Sequence, residues 1–276
     1  VRREPLGEVR ERYREAALER GISPRDVDLL LGDLLGRSLA WLVAHGDDEI
    51  DPTPLAAMME RRFSGEPVQY IRGRTEFYSR QFLVDPRVLI PRPETELLVE
   101  TAVALAPREG RVIDVGTGSG CIAISIERSR PDLQVAGADV SFDALLVAAA
   151  NRRRLESNVR LVNSDVLSAF RGQADLIVSN PPYIPAAEVD GLAAEVRLFE
   201  PRLALTPGPA GTEVIERILD GARPLLASRG RVILEIGYGQ LPSMRKVARK
   251  ARYTIEQVKP DLAGIDRVVV LSRRER

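Results

Sequence analysis

The most specific chemistry in this 276-residue chain lies in four consecutive residues, Asn180-Pro181-Pro182-Tyr183. Proline has no amide hydrogen and a fixed φ, so two in succession end a strand and leave a stiff backbone that only accepts hydrogen bonds. The Asn180 side-chain carbonyl and the Pro181 backbone carbonyl can then take both hydrogens of one planar NH2 group, with the Tyr183 ring lying against it. An amide or aromatic amine nitrogen is a poor nucleophile because its lone pair is delocalised. Two acceptors on its hydrogens return electron density to nitrogen and hold the lone pair in line with an electrophilic methyl group. Positioning is then most of the catalysis. No strong base is needed, since the proton can leave after transfer, and the only histidine, His45, lies far upstream in the sequence.

A second constellation supplies the cofactor. Asp114-Val115-Gly116-Thr117-Gly118-Ser119-Gly120 follows a strand pattern and opens a helix pattern, as a ligand-binding turn does in doubly wound folds. A dinucleotide fingerprint requires a third glycine at position 121, which is Cys121, so the spacing is G-x-G-x-G. This suits a cofactor with no pyrophosphate to seat on the helix. Asp139, at the end of the next strand pattern, can accept hydrogen bonds from both ribose hydroxyls of an adenosine, a feature that NAD and S-adenosylmethionine share. After the third strand pattern, Asp165 can accept the exocyclic amine of adenine and Val166 can cover its ring, although a surface turn also explains Asp165. Cys121 reads as a small packing residue.

These residues need a scaffold, and the hydrophobic pattern predicts one. Strands are expected at Arg111–Val115, Gln134–Asp139, Val159–Val162, Asp175–Ser179, Gly230–Ile236, Thr254–Val258 and Arg267–Leu271, with helices between the first five. That pattern indicates an α/β domain with a largely parallel sheet. Upstream, residues 5–64 read as helices. Val27, Leu30, Leu31, Leu34 and Leu35 recur at helical spacing between a Ser23-Pro24 start and a Gly36 stop, and Thr53-Pro54 is expected to cap a second helix over Leu55–Phe63. Trp41 and His45 lie four apart on one helical face and read as packing. Between Pro67 and Arg92 the short runs Val68–Ile71, Glu76–Tyr78 and Gln81–Val84 predict a β-hairpin linker. The expected division is a helical domain at 1–66, the hairpin at 67–92 and the catalytic domain at 93–276.

Composition narrows the partners. Lys plus Arg equals Asp plus Glu at 40 each, so no global positive field draws the chain onto nucleic acid. The run Arg152-Arg153-Arg154 and the pair Arg273-Arg274 are short and read as solvated faces. One cysteine and one histidine cannot build a zinc site of the usual Cys/His kind, and no apolar run reaches the roughly 18 residues needed to span a bilayer. A monomeric cytoplasmic enzyme is expected, with no metal, no membrane contact and no direct nucleic-acid binding.

Ordered motifs then extend along nearly the whole chain. They are Pro67-Val68-Gln69-Tyr70-Ile71-Arg72-Gly73, Val88-Leu89-Ile90-Pro91-Arg92-Pro93-Glu94-Thr95-Glu96, the glycine loop, and Val178 to Ile184. Glu200-Pro201 with Ala204-Leu205, Glu235-Ile236-Gly237-Tyr238-Gly239-Gln240 and Lys259-Pro260-Asp261-Leu262-Ala263-Gly264 complete the set. In these the sequence resembles the release-factor glutamine methyltransferases, the HemK/PrmC family. The resemblance implies a seven-stranded Rossmann-like (class I) methyltransferase domain joined by a β-hairpin to a small N-terminal helical bundle that helps to recognise the substrate. It implies N5-methylation, from S-adenosylmethionine, of the glutamine in the Gly-Gly-Gln loop of class-I peptide-chain release factors. Cofactor binding carries onto Gly116, Thr117, Gly118, Ser119, Gly120 and Asp139, with Asp165, Val166 and Asn180 completing that set. Asn180, Pro181, Pro182 and Tyr183 become the substrate and catalytic residues. Arg92 and Thr95 flank the family's active site, while helix capping by Thr95 and a surface salt bridge by Arg92 account for them equally. Amino-adenine methyltransferases share Asn-Pro-Pro-Tyr, so an N6-adenine enzyme acting on DNA or RNA is the alternative.

Overall fold

The computed structural model describes residues 3–274. Backbone proximity divides them into two compact units: the residues up to Gly73 together with Ala194–Phe199, and Arg74–Ala193 together with the residues from Glu200 onward.

In the first unit, β1 (Glu4–Pro5) precedes α1 (Leu6–Glu19), α2 (Pro24–Leu35) and α3 (Leu39–Ala44). It pairs antiparallel with β2 (Glu49–Ile50), after which come α4 (Thr53–Phe63) and α5 (Val68–Arg72). Helix α2 has the predicted ends: Ser23 Oγ accepts from the Arg25 amide, and Gly36 caps it at φ 64°. Leu6, Val9, Val27, Leu30, Leu31, Leu55 and Met59 form its core. Arginines from the neighbouring helices hold the acids of α2, Asp28 taking Arg10 at 2.7 Å and Arg14 at 2.6 Å, and Asp26 taking Arg62 at 2.7 Å. Trp41 and His45 stack with ring centroids 4.2 Å apart.

Four local expectations change. Residues 164–173 form turns where a helix was expected between the third and fourth strands of the sheet, and the paired strands β1 and β2 interrupt the stretch read as wholly helical. Thr53 is the first residue of α4 and not its cap; the Asp51 carboxylate accepts the Thr53 amide at 2.9 Å instead. Val68–Ile71 has the composition of a strand yet forms α5, which Gly73 ends at φ 69°. Val68 and Ile71 are three apart, a helical spacing that turns both into the core, and this burial overrides β propensity.

The second unit opens on a hairpin, β3 (Arg74–Phe77) and β4 (Arg80–Leu83), whose turn residues Tyr78 and Ser79 have φ of 50° and 57°. Two left-handed residues match the twist of the flanking strands. A 3-10 turn, Pro93–Thr95, leads to α6 (Glu96–Leu105), β5 (Arg111–Val115), α7 (Cys121–Ser129), β6 (Gln134–Asp139), α8 (Phe142–Arg154), β7 (Arg160–Asn163) and β8 (Ala174–Ser179). Then follow α9 (Ala194–Phe199, grouped with the first unit), α10 (Arg202–Leu205), α11 (Glu213–Ala222), β9 (Leu226–Glu235), α12 (Leu241–Lys250), β10 (Tyr253–Pro260) and β11 (Asp266–Arg273).

The sheet order is β10-β11-β9-β8-β5-β6-β7, parallel except at β11, which is antiparallel to both neighbours. Successive residues alternate between two cores, as a strand buried on both faces requires. Val112, Leu176, Ile233 and Val268 meet α6 and α7, whereas Ile113, Ile177, Val232 and Val269 meet α11 and α12.

Asn151, on α8, ties the hairpin to the rest of this unit. Its Nδ2 donates to the Leu83 and Ser119 carbonyls at 2.9 Å each, and its Oδ1 accepts the Leu83 amide at 2.7 Å. The side chain is 0% exposed, so no water can replace these bonds. Asn151→Ala is expected to lower the unfolding free energy by about 2–4 kcal/mol, read from the urea midpoint at constant slope.

Candidate active site

The winding direction reverses between β5 and β8, and strand ends separate there to leave a crevice. The Ser179 hydroxyl donates to the Val115 carbonyl at 2.6 Å, locking the two ends together. A cavity of about 260 Å³ opens above them, walled by Gly116, Gly118, Asp139, Asp165, Val166, Asn180, Pro181 and Pro182 among the expected residues, with Ser164 and Ser179 beside them.

Three glycines shape the loop after β5, Gly116, Gly118 and Gly120, at φ 72°, 53° and 81°. A Cβ on Gly116 or Gly118 would meet nothing, whereas one on Gly120 would lie 3.0 Å from Ile124 and 3.3 Å from Ala148. Gly120 thus serves helix packing, and the other two leave backbone exposed to the cavity. Thr117 and Ser119 are buried and not in the cavity wall. Thr117 donates to Asp114 at 2.6 Å and packs on Gly137, where a Cβ would come within 2.6 Å of its Oγ1. The Ser119 carbonyl takes the Asn151 amide.

Asp139 holds the loop from the next strand, its two oxygens accepting the Gly118 and Ser141 amides at 2.9 Å each. Burial raises its carboxyl above the ordinary range against those bonds. A carboxylate has about four lone pairs, so two remain for a ligand. Asp165 pairs with Arg217 at 2.5 Å on the exposed side of the cavity, a contact the sequence did not indicate. Val166 sits at φ 51°, a conformation that a β-branched residue adopts only when its surroundings impose it. Burial pushes the Cys121 thiol up to about 12, consistent with packing.

At the end of β8, Asn180 Nδ2 donates to Thr95 Oγ1 at 3.1 Å, and Thr95 Oγ1 donates to Glu235 Oε2 at 2.6 Å. Thr95 therefore makes no helix cap, and α6 begins without a side-chain capping bond. Arg92 forms a salt bridge with the buried carboxylate of Glu200. The segment after β9 supports the motif from below. Gly237 faces the Tyr183 ring, where a Cβ would fall 2.9 Å from Cδ2, and Gln240 Nε2 donates to the Gly211 carbonyl at 2.9 Å and the Tyr183 carbonyl at 3.4 Å. Glu235, Gly237 and Gln240 were visible in the sequence only as a motif of unassigned role; a charged residue closing an apolar strand was the available signal.

Acceptors at a strand end beside a crevice of this kind are the arrangement of a Rossmann-like methyltransferase, and comparisons with known proteins agree. Residues 93–209 match the methyltransferase small domain, and residues 6–73 match the PrmC N-terminal domain. The release factor glutamine methyltransferase of Koribacter versatilis is 44% identical over 256 residues, 90% of this chain and 91% of its own. That of Moorella thermoacetica is 41% identical over 283 residues, 99% of each chain. A methyltransferase structure from Pyrococcus furiosus, 19% identical, shares the fold at a TM-score of 0.55, covering 78% of this chain and 98% of that one. This chain belongs to the release factor glutamine methyltransferase family. No helix among the described residues is long and apolar enough to cross a membrane.

Two outcomes follow from this geometry. Gly237→Ala must displace the Tyr183 ring and is expected to reduce turnover about tenfold while leaving cofactor affinity within about twofold, by equilibrium titration. Burial pushes the Asp114 carboxyl up from its ordinary 3.8 to about 7 despite bonds from Thr117 and Ala123. The folded protein then keeps a proton that the unfolded chain releases, so this contribution is full below about pH 4 and is lost as pH rises through 7. Urea titrations without cofactor are expected to show unfolding free energy falling between about pH 5 and 7, less steeply in Asp114→Asn.

Proposed function

We propose that this chain transfers a methyl group from S-adenosylmethionine to N5 of the glutamine in the Gly-Gly-Gln loop of class-I release factors. The observation that carries the reading is the orientation of Asn180: its NH2 is given to Thr95, which keeps its carbonyl as the acceptor left for a ligand in the cavity that Asn180 and Pro181 line.

The residues present fit the cofactor. Gly116 and Gly118 leave room for close approach, and Asp139 keeps two lone pairs for ribose hydroxyls. Asp114 Oδ1 is buried without a hydrogen-bond partner behind the loop. Gly116, Gly118 and Asp139, with Asp165 and Val166 toward the base, would hold it, and Thr117, Ser119 and Gly120 would shape the loop. When bound, S-adenosylmethionine supplies an electrophilic methyl group on positively charged sulfur.

The chain's own contribution is to orient and polarise the acceptor. Asn180 Oδ1 and the Pro181 carbonyl each accept one hydrogen of the substrate amide, which restores lone-pair density at nitrogen. Tyr183, expected to lie against the substrate, is not in the cavity wall; its ring packs on Gly237 and would fix the chain that carries Asn180 and Pro181. Each acceptor also stabilises charge developing at nitrogen, by about 3 kcal/mol if oxyanion-hole deletions are a guide. The N-terminal helical unit engages the release factor, a reading supported by the match over residues 6–73.

Label transfer from S-adenosylmethionine, with a release factor and an adenine-containing duplex offered side by side, tests this assignment. Label is expected on the release factor, and duplex-only labelling would overturn it. Asn180→Ala is expected to lower turnover at least about 100-fold with the cofactor still bound.

A further inference from the structure

We infer that Thr95 and Glu235 are positioning residues that determine which end of the Asn180 side-chain amide faces the substrate; the inference rests on the role proposed for Asn180. The end group of asparagine is nearly symmetric in shape, and rotation by half a turn exchanges a carbonyl for an NH2. In the wrong orientation Asn180 would present hydrogens to the hydrogens of the substrate amide, and the site would repel what it has to hold.

Hydrogen counting on Thr95 removes this ambiguity. Its hydroxyl has one hydrogen, and Glu235 Oε2 takes it at 2.6 Å. Toward Asn180 the same oxygen can therefore only accept, so Nδ2 faces it at 3.1 Å and Oδ1 turns away. Thr95 and Glu235 are each 2% exposed, so water does not compete for either bond. The three residues come from the 3-10 turn before α6, the end of β8 and the end of β9, all within the larger unit.

The same logic gives the relay a pH dependence. Burial, the largest influence, pushes the Glu235 carboxyl up to about 7, opposed by the bond from Thr95. Glu235 is also faced by Arg92 and Glu94 from the segment before α6, by Cys121 at the start of α7, by Arg267 from β11 and by Tyr183 from the loop after β8. Once protonated, Glu235 can donate to Thr95, whose own hydrogen is then free to draw the Asn180 carbonyl away from the substrate.

The full chain is tested by measuring turnover on a release factor and, separately, cofactor affinity. Thr95→Val keeps the side-chain volume and deletes both bonds; kcat is expected to fall about 10- to 100-fold with cofactor Kd within about threefold. Thr95→Ser retains the hydroxyl and is expected to recover most of that loss. Wild-type kcat is expected to decline as pH drops through about 7, and Thr95→Val to be low and flat across the same range. The inference is overturned if Thr95→Val turns over like wild type, if Thr95→Ser is as poor as Thr95→Val, if Thr95→Val keeps the acid limb, or if its loss of cofactor binding matches its loss of kcat. Asn180→Ala run in parallel separates the two readings. An inactive Asn180→Ala beside a fully active Thr95→Val defeats the relay alone, whereas an active Asn180→Ala defeats the proposed role of Asn180 itself.

Discussion

The reversal of winding at β5 and β8 is the constraint on which the rest of this enzyme depends. Parallel strands all point one way, so their carboxyl ends gather along one edge, and the crossovers diverge to opposite faces only where the strand order turns back. Most residues of the site close a strand or follow one by a position or two, Gly116 after β5, Ser164 after β7 and Asn180 after β8, with Asp139 and Glu235 as last residues of β6 and β9; Thr95, from the turn before α6, is the exception. Strands buried on both faces hold these ends rigidly. The Ser179 to Val115 bond removes the remaining freedom between the two ends that matter most.

Much of this was legible in the sequence because it is local. Strands buried in a sheet are short apolar runs, and all seven, the five of the parallel part and the antiparallel pair β10 and β11, were found, although β9 begins at Leu226, before the expected Gly230. The glycine loop, Asp139 and Asn-Pro-Pro-Tyr carry their chemistry in residue type and spacing. Partnerships between distant segments were not legible. Thr95 and Glu235 are 140 positions apart, and Asn151 and Leu83 are 68 apart, and no periodicity connects either pair. Thr95 accordingly read as either a residue flanking the site or a helix cap, with no partner named for it. The helix at Val68–Arg72 was missed for the same reason: its composition favours a strand, and only the core of the first unit makes it a helix.

The structure also concentrates buried acid where a methyl group would be handled. Asp114 is 0% exposed and Glu235 2%, and both are raised to about 7 by desolvation. A protein designed for stability alone would avoid burying two carboxyls. Their retention fits a site that needs hydrogen-bond acceptors at fixed positions, with Asp114 anchoring the glycine loop through Thr117 and Glu235 anchoring Thr95. The left-handed Val166 adds backbone strain at the same strand edge. Stability is sacrificed there for geometry that the surrounding core keeps in place.

The pair of carbonyl acceptors proposed at Asn180 and Pro181 also has a consequence for damaged substrates. Glutamine side chains deamidate, and the resulting glutamate has nearly the same shape. A pocket relying on shape would admit both, because a hydrophobic enclosure discriminates poorly between isosteres. Two carbonyls facing a carboxylate set lone pairs against lone pairs, and the prolines at 181 and 182 provide no amide hydrogen to relieve the repulsion. On the roles proposed for Asn180 and Pro181, the rigidity that offers the amide its acceptors would also repel the carboxylate of a chain whose glutamine has already been lost.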